Sequence, residues 1–227
     1  SYALHEKEVY SWASTGRQLY EDYDYATGNT KNYTLSLPGI VPEDSVWLTT
    51  VFAARSIGAS TYYSVAVNGK VRGNATLASI SSDNQYYTRA TSASISTSWL
   101  GTESENTIVT VIHTRPSGTS GRLDYIALNY IRSLTLNAPY LTFRSLASIN
   151  KETTFVLSGA TASTVVWDVT DPANICRMEG SFVGGTYTFT IPAGKLREFV
   201  AITPEASGFD TVETVGNIAN QNLHSLG

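Results

Sequence analysis

Apolar residues in this chain recur at every second position, in short runs punctuated by Gly, Pro and Asn. Tyr33, Leu35 and Leu37 alternate with Thr34 and Ser36 until Pro38-Gly39 stops the run. A period of two places all three rings and branches on one face of a half-buried strand. Runs at 46–54 and 62–67 follow, rich in β-branched and aromatic residues, and Asn68-Gly69 then leads into Lys70-Val71-Arg72. An Asn-Gly pair readily adopts the two positive φ angles of a tight hairpin turn, so the flanking strands are predicted to pair antiparallel. Further strands are predicted at 86–94, 106–114 and 123–136. In the last of these, Ile126, Leu128 and Tyr130 share one face while Tyr125, Ala127 and Ile131 share the other. Apolar residues on both faces predict a central strand that is well covered.

Asn137-Ala138-Pro139 breaks the pattern and marks the expected domain boundary. Beyond it, short strands are predicted at 142–145, 153–157, 164–168, 187–191 and 198–203, with turns at Ser158-Gly159, Asp171-Pro172, Gly184-Gly185 and Ala193-Gly194. The expected architecture is therefore all-β: a jelly-roll-like β-sandwich over 1–137 and a smaller immunoglobulin-like β-sandwich over 138–205. Residues 206–227 lose the alternation and read as a linker leading to another domain. Charged residues make up only 15% of the chain, which argues against long charged helices. Fifteen basic residues face nineteen acidic ones, with no Lys/Arg cluster to track phosphates, so nucleic acid is not an expected partner. No apolar run reaches the length of a membrane-spanning helix.

Three segments carry a resemblance. Leu123-Asp124-Tyr125-Ile126-Ala127-Leu128-Asn129-Tyr130, Val166-Trp167-Asp168-Val169-Thr170-Asp171-Pro172 and Asn217-Ile218-Ala219-Asn220-Gln221-Asn222-Leu223-His224 together resemble the region preceding the peptidase domain in the sortase of the bacterial type IX secretion system, within the gingipain-like cysteine peptidase family. Order and spacing agree across these segments, whereas residues 1–120 agree in fold type alone. The resemblance implies a surface cysteine peptidase of a Gram-negative bacterium that removes the C-terminal signal of exported cargo and attaches the cargo to an anionic lipopolysaccharide. It implies a Cys–His dyad in a caspase-like domain beyond Gly227, so no catalytic residue falls on this chain. The implied partners are that downstream peptidase domain, secretion cargo and other secretion components; the implied location is the periplasm or the outer cell surface.

The residues themselves suggest little chemistry. Cys176 is the only cysteine, so no internal disulfide forms, and beside the turn Pro172-Ala173-Asn174 it reads as a small, half-buried hydrophobe. His113 lies in a strand on the same face as Val109 and Val111 and reads as a packed histidine, with no partners for a metal site and no cofactor expected. The acidic run Glu21-Asp22-Tyr23-Asp24 lacks the spacing of a calcium loop and reads as a solvated face. Asp168 and Asp171 read as turn residues bonding their own backbone. The aromatic pairs Tyr62-Tyr63 and Tyr86-Tyr87 each place one ring on either side of a strand, and Tyr63 and Tyr87 are the expected ligand contacts if the sandwich binds carbohydrate. A carbohydrate-binding module and an adhesin-like structural domain are the alternatives to the peptidase accessory region.

Overall fold

The structure, a computed structural model, describes residues 1–12, 18–82, 90–101, 104–207, 209, 213 and 216. It is all-β, with no α-helix among the described residues and a short 3-10 turn at Leu146–Ser148. The chain divides into two compact units, Ser1–Ser133 and Leu134–Gly227.

The first unit contains β1 (Tyr2–Glu6), β2 (Thr30–Ser36), β3 (Ser45–Arg55), β4 (Thr61–Val67), β5 (Lys70–Leu77), β6 (Thr91–Leu100), β7 (Asn106–Thr114) and β8 (Ser120–Tyr130). They form two antiparallel four-stranded sheets, ordered β1-β8-β3-β6 and β2-β7-β4-β5. The pairings nest around one turn: β4 with β5, β3 with β6, β2 with β7, β1 with β8. Such nesting is one long hairpin rolled over on itself, which is the jelly roll. At its tip sit Asn68 (φ 46°) and Gly69 (φ 80°), the two positive-φ positions that the Asn-Gly pair predicts. Inward residues alternate along each strand, among them Leu48, Val65, Val109, Leu123 and Leu128, and they form one core between the sheets.

Two strand limits differ from expectation. β8 stops at Tyr130 instead of running to Leu136, because the chain next pairs with the segment after β2: Val41 N donates to Ile131 O (3.0 Å) and Ser133 N to Gly39 O (2.9 Å). The strand expected at 86–94 overlaps β6, which begins at Thr91 and runs on to Leu100, and 86–89 lie outside the described residues. The later part of β6, Ser96-Thr97-Ser98, is too polar to extend the expected strand, yet β6 pairs along the length of β3. β1 escaped the sequence pattern because its outward residues, Tyr2 and Leu4, are more apolar than inward Ala3 and His5.

The second unit contains β9 (Tyr140–Arg144), β10 (Thr153–Ser158), β11 (Val165–Asp168), β12 (Cys176–Arg177), β13 (Ser181–Val183), β14 (Thr186–Ile191) and β15 (Glu198–Ile202). They form antiparallel sheets β10-β14-β13 and β12-β11-β15-β9, a three-plus-four arrangement like the small immunoglobulin-type sandwich. Its core is aromatic: Phe155 stacks on Phe189 (5.1 Å, 13°), and Phe199 contacts Phe143, Phe155 and Phe189. Leu136 is buried in this core, and Leu134 O accepts from Ser158 N (2.9 Å). These contacts draw 134–136 into the second unit, so the division falls just before the Asn137-Ala138-Pro139 break.

Candidate functional site

Strand alternation splits the Tyr62-Tyr63 pair, and it sends Tyr63 inward. Tyr63 is fully buried, stacked on Phe52 (4.3 Å, 9°) and on His113 (4.1 Å, 3°), with its hydroxyl donating to Ala53 O (3.3 Å). A ring so enclosed cannot serve as the surface ligand contact expected of it; the exposed member is Tyr62. The other expected contact, Tyr87, lies outside the described residues, as does Tyr86. His113 is buried beside Val109 and Val111, and neither ring nitrogen finds a partner among the described residues. Burial, reinforced by the charge of Arg115 and opposed by that of Asp24, brings its pKa down to about 4, so the ring is neutral near pH 7.

The acidic run is not a solvated face. Glu21 is fully buried, and its carboxylate accepts from Tyr33 Oη (2.6 Å) and Lys31 Nζ (2.7 Å), with His5 Nε2 at 3.3 Å and Lys7 Nζ at 3.6 Å. Burial pushes its pKa up, but the hydrogen bonds from Lys31 and Tyr33 and the charges of Lys31 and His5 outweigh it, leaving the group below its usual value. Asp24 is held low in the same way: burial is outweighed by hydrogen bonds from Ser120, Ala26 N and Gly121 N and by the charge of Arg122. Arg122 also donates to Glu21 O and Asp22 O and lies over the ring of Tyr10 (3.3 Å to the centroid). With so many bonds satisfied internally, this cluster ties the segment after β1 to β2 and β8 and offers no open coordination.

The surface with open recognition groups is the outer face of the β1-β8-β3-β6 sheet. Register aligns Tyr2, Asn129, Trp47 and Ser98 in one row across the four strands. The next row is Leu4, Ala127, Thr49 and Ser96, and the one beyond it is Glu6, Tyr125, Val51 and Ser94. Tyr2 is 68% exposed and Trp47 40%, while the intervening Asn129 is also exposed. Glu6 is the sole carboxylate or cation in these three rows. Sequence reading missed this face because Val46-Trp47-Leu48 reads as apolar on both sides. Only the burial of Val46 and Leu48 shows that Trp47 is the residue turned out. The expected cover over both faces of β8 is likewise absent among the described residues, since Asn129 is exposed and Tyr125 and Ala127 only half-buried.

In the second unit, Cys176 is exposed, not half-buried, because β12 is a two-residue edge strand paired only to β11. It stands opposite Asp168, and its Sγ lies 3.5 Å from Asn174 O. Asp168 accepts from Thr170 N (3.0 Å) and Asp171 from Ala173 N (3.0 Å), the local turn bonding that the sequence predicts. A shallow groove between β12 and β13 is lined by Arg177, Met178, Glu179, Phe182 and Tyr187. No cluster of three or more His, Cys, Asp or Glu suited to a metal occurs among the described residues.

No protein-family model and no curated protein matches the chain. Among solved structures, the crystal structure of dimeric latent PorU from Porphyromonas gingivalis superposes over 98% of this chain with a TM-score of 0.79 and 22% identity, and the chain spans 22% of that protein. A tandem CBM22 domain of Paenibacillus barcinonensis Xyn10C (11% identity, 75% of each chain) and a Paenibacillus cycloisomaltooligosaccharide glucanotransferase (9% identity, 76% of this chain and 40% of that one) reach a TM-score of only 0.27, too low to bear on the site. This chain has the fold of a β region of PorU.

Proposed function

We propose that this chain is a non-catalytic accessory β region of a surface cysteine peptidase of the gingipain-like family, a type IX secretion sortase. The observation that carries the reading is the superposition on PorU, the type IX secretion sortase, over nearly the whole chain. The motif Leu123–Tyr130 supports it by lying in β8, the strand that joins β1 to β3 in the first sandwich; Val166–Asp168 lies in β11 of the second. The third motif, at 217–224, lies outside the described residues. In this reading residues 206–227 lead to a caspase-like peptidase domain that holds the Cys–His dyad, and the two sandwiches orient that domain or hold cargo near it. The protein then works in the periplasm or on the outer surface of a Gram-negative cell.

The surroundings of Cys176 favour a non-catalytic role. A nucleophilic thiolate needs a neighbouring base or a cationic setting. Cys176 instead faces the carboxylate-bearing Asp168 across the strand pair and a backbone carbonyl at 3.5 Å. The test is cleavage of a peptide carrying a cargo C-terminal signal, by residues 1–227 alone and by the same chain joined to its downstream domain. Cleavage is expected only in the joined protein and is unaffected by Cys176→Ala. Cleavage by residues 1–227 alone that Cys176→Ala abolishes overturns the proposal.

A further inference from the structure

We infer that the outer face of the β1-β8-β3-β6 sheet binds a neutral polysaccharide, with Tyr2 and Trp47 as two stacking platforms and Asn129 between them as the hydrogen-bonding group. Neighbouring strands lie about 4.8 Å apart, so side chains two strands apart are separated by roughly 10 Å, the spacing of every second sugar ring along an extended chain. A pyranose ring presents axial C–H groups on its faces and hydroxyls around its rim. Flat aromatic side chains match the faces at small conformational cost, and neutral amides and hydroxyls match the rim. The sheet supplies both. Tyr2 and Trp47 flank exposed Asn129, and beside them run half-buried Thr49 and the exposed Ser94, Ser96 and Ser98.

Charge selects the class of ligand. Across the three rows Glu6 is the sole carboxylate or cation, and it lies on the edge strand four residues, two rows, away from Tyr2. A site for an anionic glycan or for phosphate needs Lys or Arg, as seen in phosphate recognition generally, and these rows hold none. The alternative occupant of an exposed aromatic face is another protein. Protein interfaces centre on a contiguous apolar core ringed by charged and polar residues; here an exposed amide separates the two rings, the adjoining rows set exposed Leu4 and half-buried Ala127, Val51 and Tyr125 beside Thr49 and Glu6, and serines run along β6. The neutral glycan fits that interleaving.

The inference concerns the first unit alone and stands or falls independently of the peptidase role. Residues 1–227 are titrated with cellohexaose, mannohexaose and chitohexaose, and with oligogalacturonate as the anionic comparison, by calorimetry and tryptophan fluorescence. We expect saturable binding of at least one neutral hexamer at about 1 mM or tighter, weakened at least about tenfold by Trp47→Ala or Tyr2→Ala. Trp47→Tyr retains most of it, and Tyr62→Ala, on the opposite sheet, leaves it unchanged. Asn129→Ala, at an exposed position, is expected to weaken binding without moving the melting temperature, and so covers the case in which Trp47→Ala fails to fold. The inference is overturned if no neutral hexamer binds, if oligogalacturonate binds better, or if the ring variants bind as the parent does. Self-association lost in Trp47→Ala, with no glycan binding, overturns it in favour of a protein interface.

Discussion

His113 lies flat against Tyr63 in the core of the jelly roll, edge-on to Tyr25, within reach of the charges of Arg115 and Asp24. Both ring nitrogens lack partners among the described residues, so the imidazolium has nothing to compensate its desolvation. The folded chain therefore binds this proton less tightly than the unfolded chain, whose histidine titrates near 6.5, with the folded value near 4. Stability from this site is complete above about pH 6.5 and is lost as pH falls toward 4, by on the order of 3 kcal/mol. Denaturant midpoints measured from pH 7.5 to pH 4 are expected to fall through this window, and His113→Phe, which keeps the stack, is expected to flatten the fall. An unchanged slope in the variant refutes the assignment. Gly121 completes the same contact: a Cβ there meets Tyr63 Oη and the His113 ring, so even alanine overpacks the site.

The Asn68-Gly69 turn governs more than the two strands it joins. All four nested pairings of the first unit are centred on it. Gly69 has φ 80° and an ideal Cβ there meets no atom, so a substitution is opposed by backbone conformation and not by crowding. Gly69→Val is expected to lower stability by about 1–2 kcal/mol, the cost of a left-handed backbone for a side chain with a Cβ, while Asn68→Gly is expected to be close to neutral. Thermal melts of the two variants check this, and a neutral Gly69→Val contradicts the strained-turn argument. A bulge between Val65 and Ala66 lies two residues before the turn, and Gly73 faces it on β5. A Cβ at Gly73 meets the Ile95 side chain of β6, so this glycine lets the two sheets approach at that corner.

Among the described residues two cores share no residue, one built on Leu, Val and Tyr between the four-stranded sheets and one built on Phe143, Phe155, Phe189 and Phe199. Separate cores predict separate responses. Phe189→Ala is expected to cost the second unit about 3–5 kcal/mol and to raise amide exchange across β10, β14 and β15 while leaving β3, β7 and β8 protected. Hydrogen exchange read by peptide mass distinguishes this from a single cooperative unit, in which all strands lose protection together. The exposed β12 and β13 edges of this unit are short, the usual way to limit edge pairing, and they leave Cys176 and Val183 at the surface.

Alternation, turn chemistry and composition by themselves determined that the chain is all-β, that Asn68-Gly69 closes an antiparallel pair, that His113 packs inside and that Asp168 and Asp171 bond their own turns. Each of these depends on neighbours in sequence, which is where periodicity and φ preference act. Tertiary structure alone decided the rest. Tyr63 is enclosed because Phe52 and His113 arrive from other strands. Glu21 is buried and ionised because Lys31 and Tyr33 of β2 meet it there, a pairing that no local pattern in an acidic run announces. β6 runs on past 94 because β3 offers it a ladder, although Ser96-Thr97-Ser98 are too polar to extend the strand that the sequence predicts at 86–94. Trp47 faces outward because Val46 and Leu48 are claimed by the core, and Tyr2 stands in line with it only through Asn129 of β8, more than eighty positions away from Trp47 in sequence. Which face of a strand is buried, and which distant side chains share a row, depends on strand register across the sheet, and register is set by long-range pairing that the sequence of a single strand does not contain.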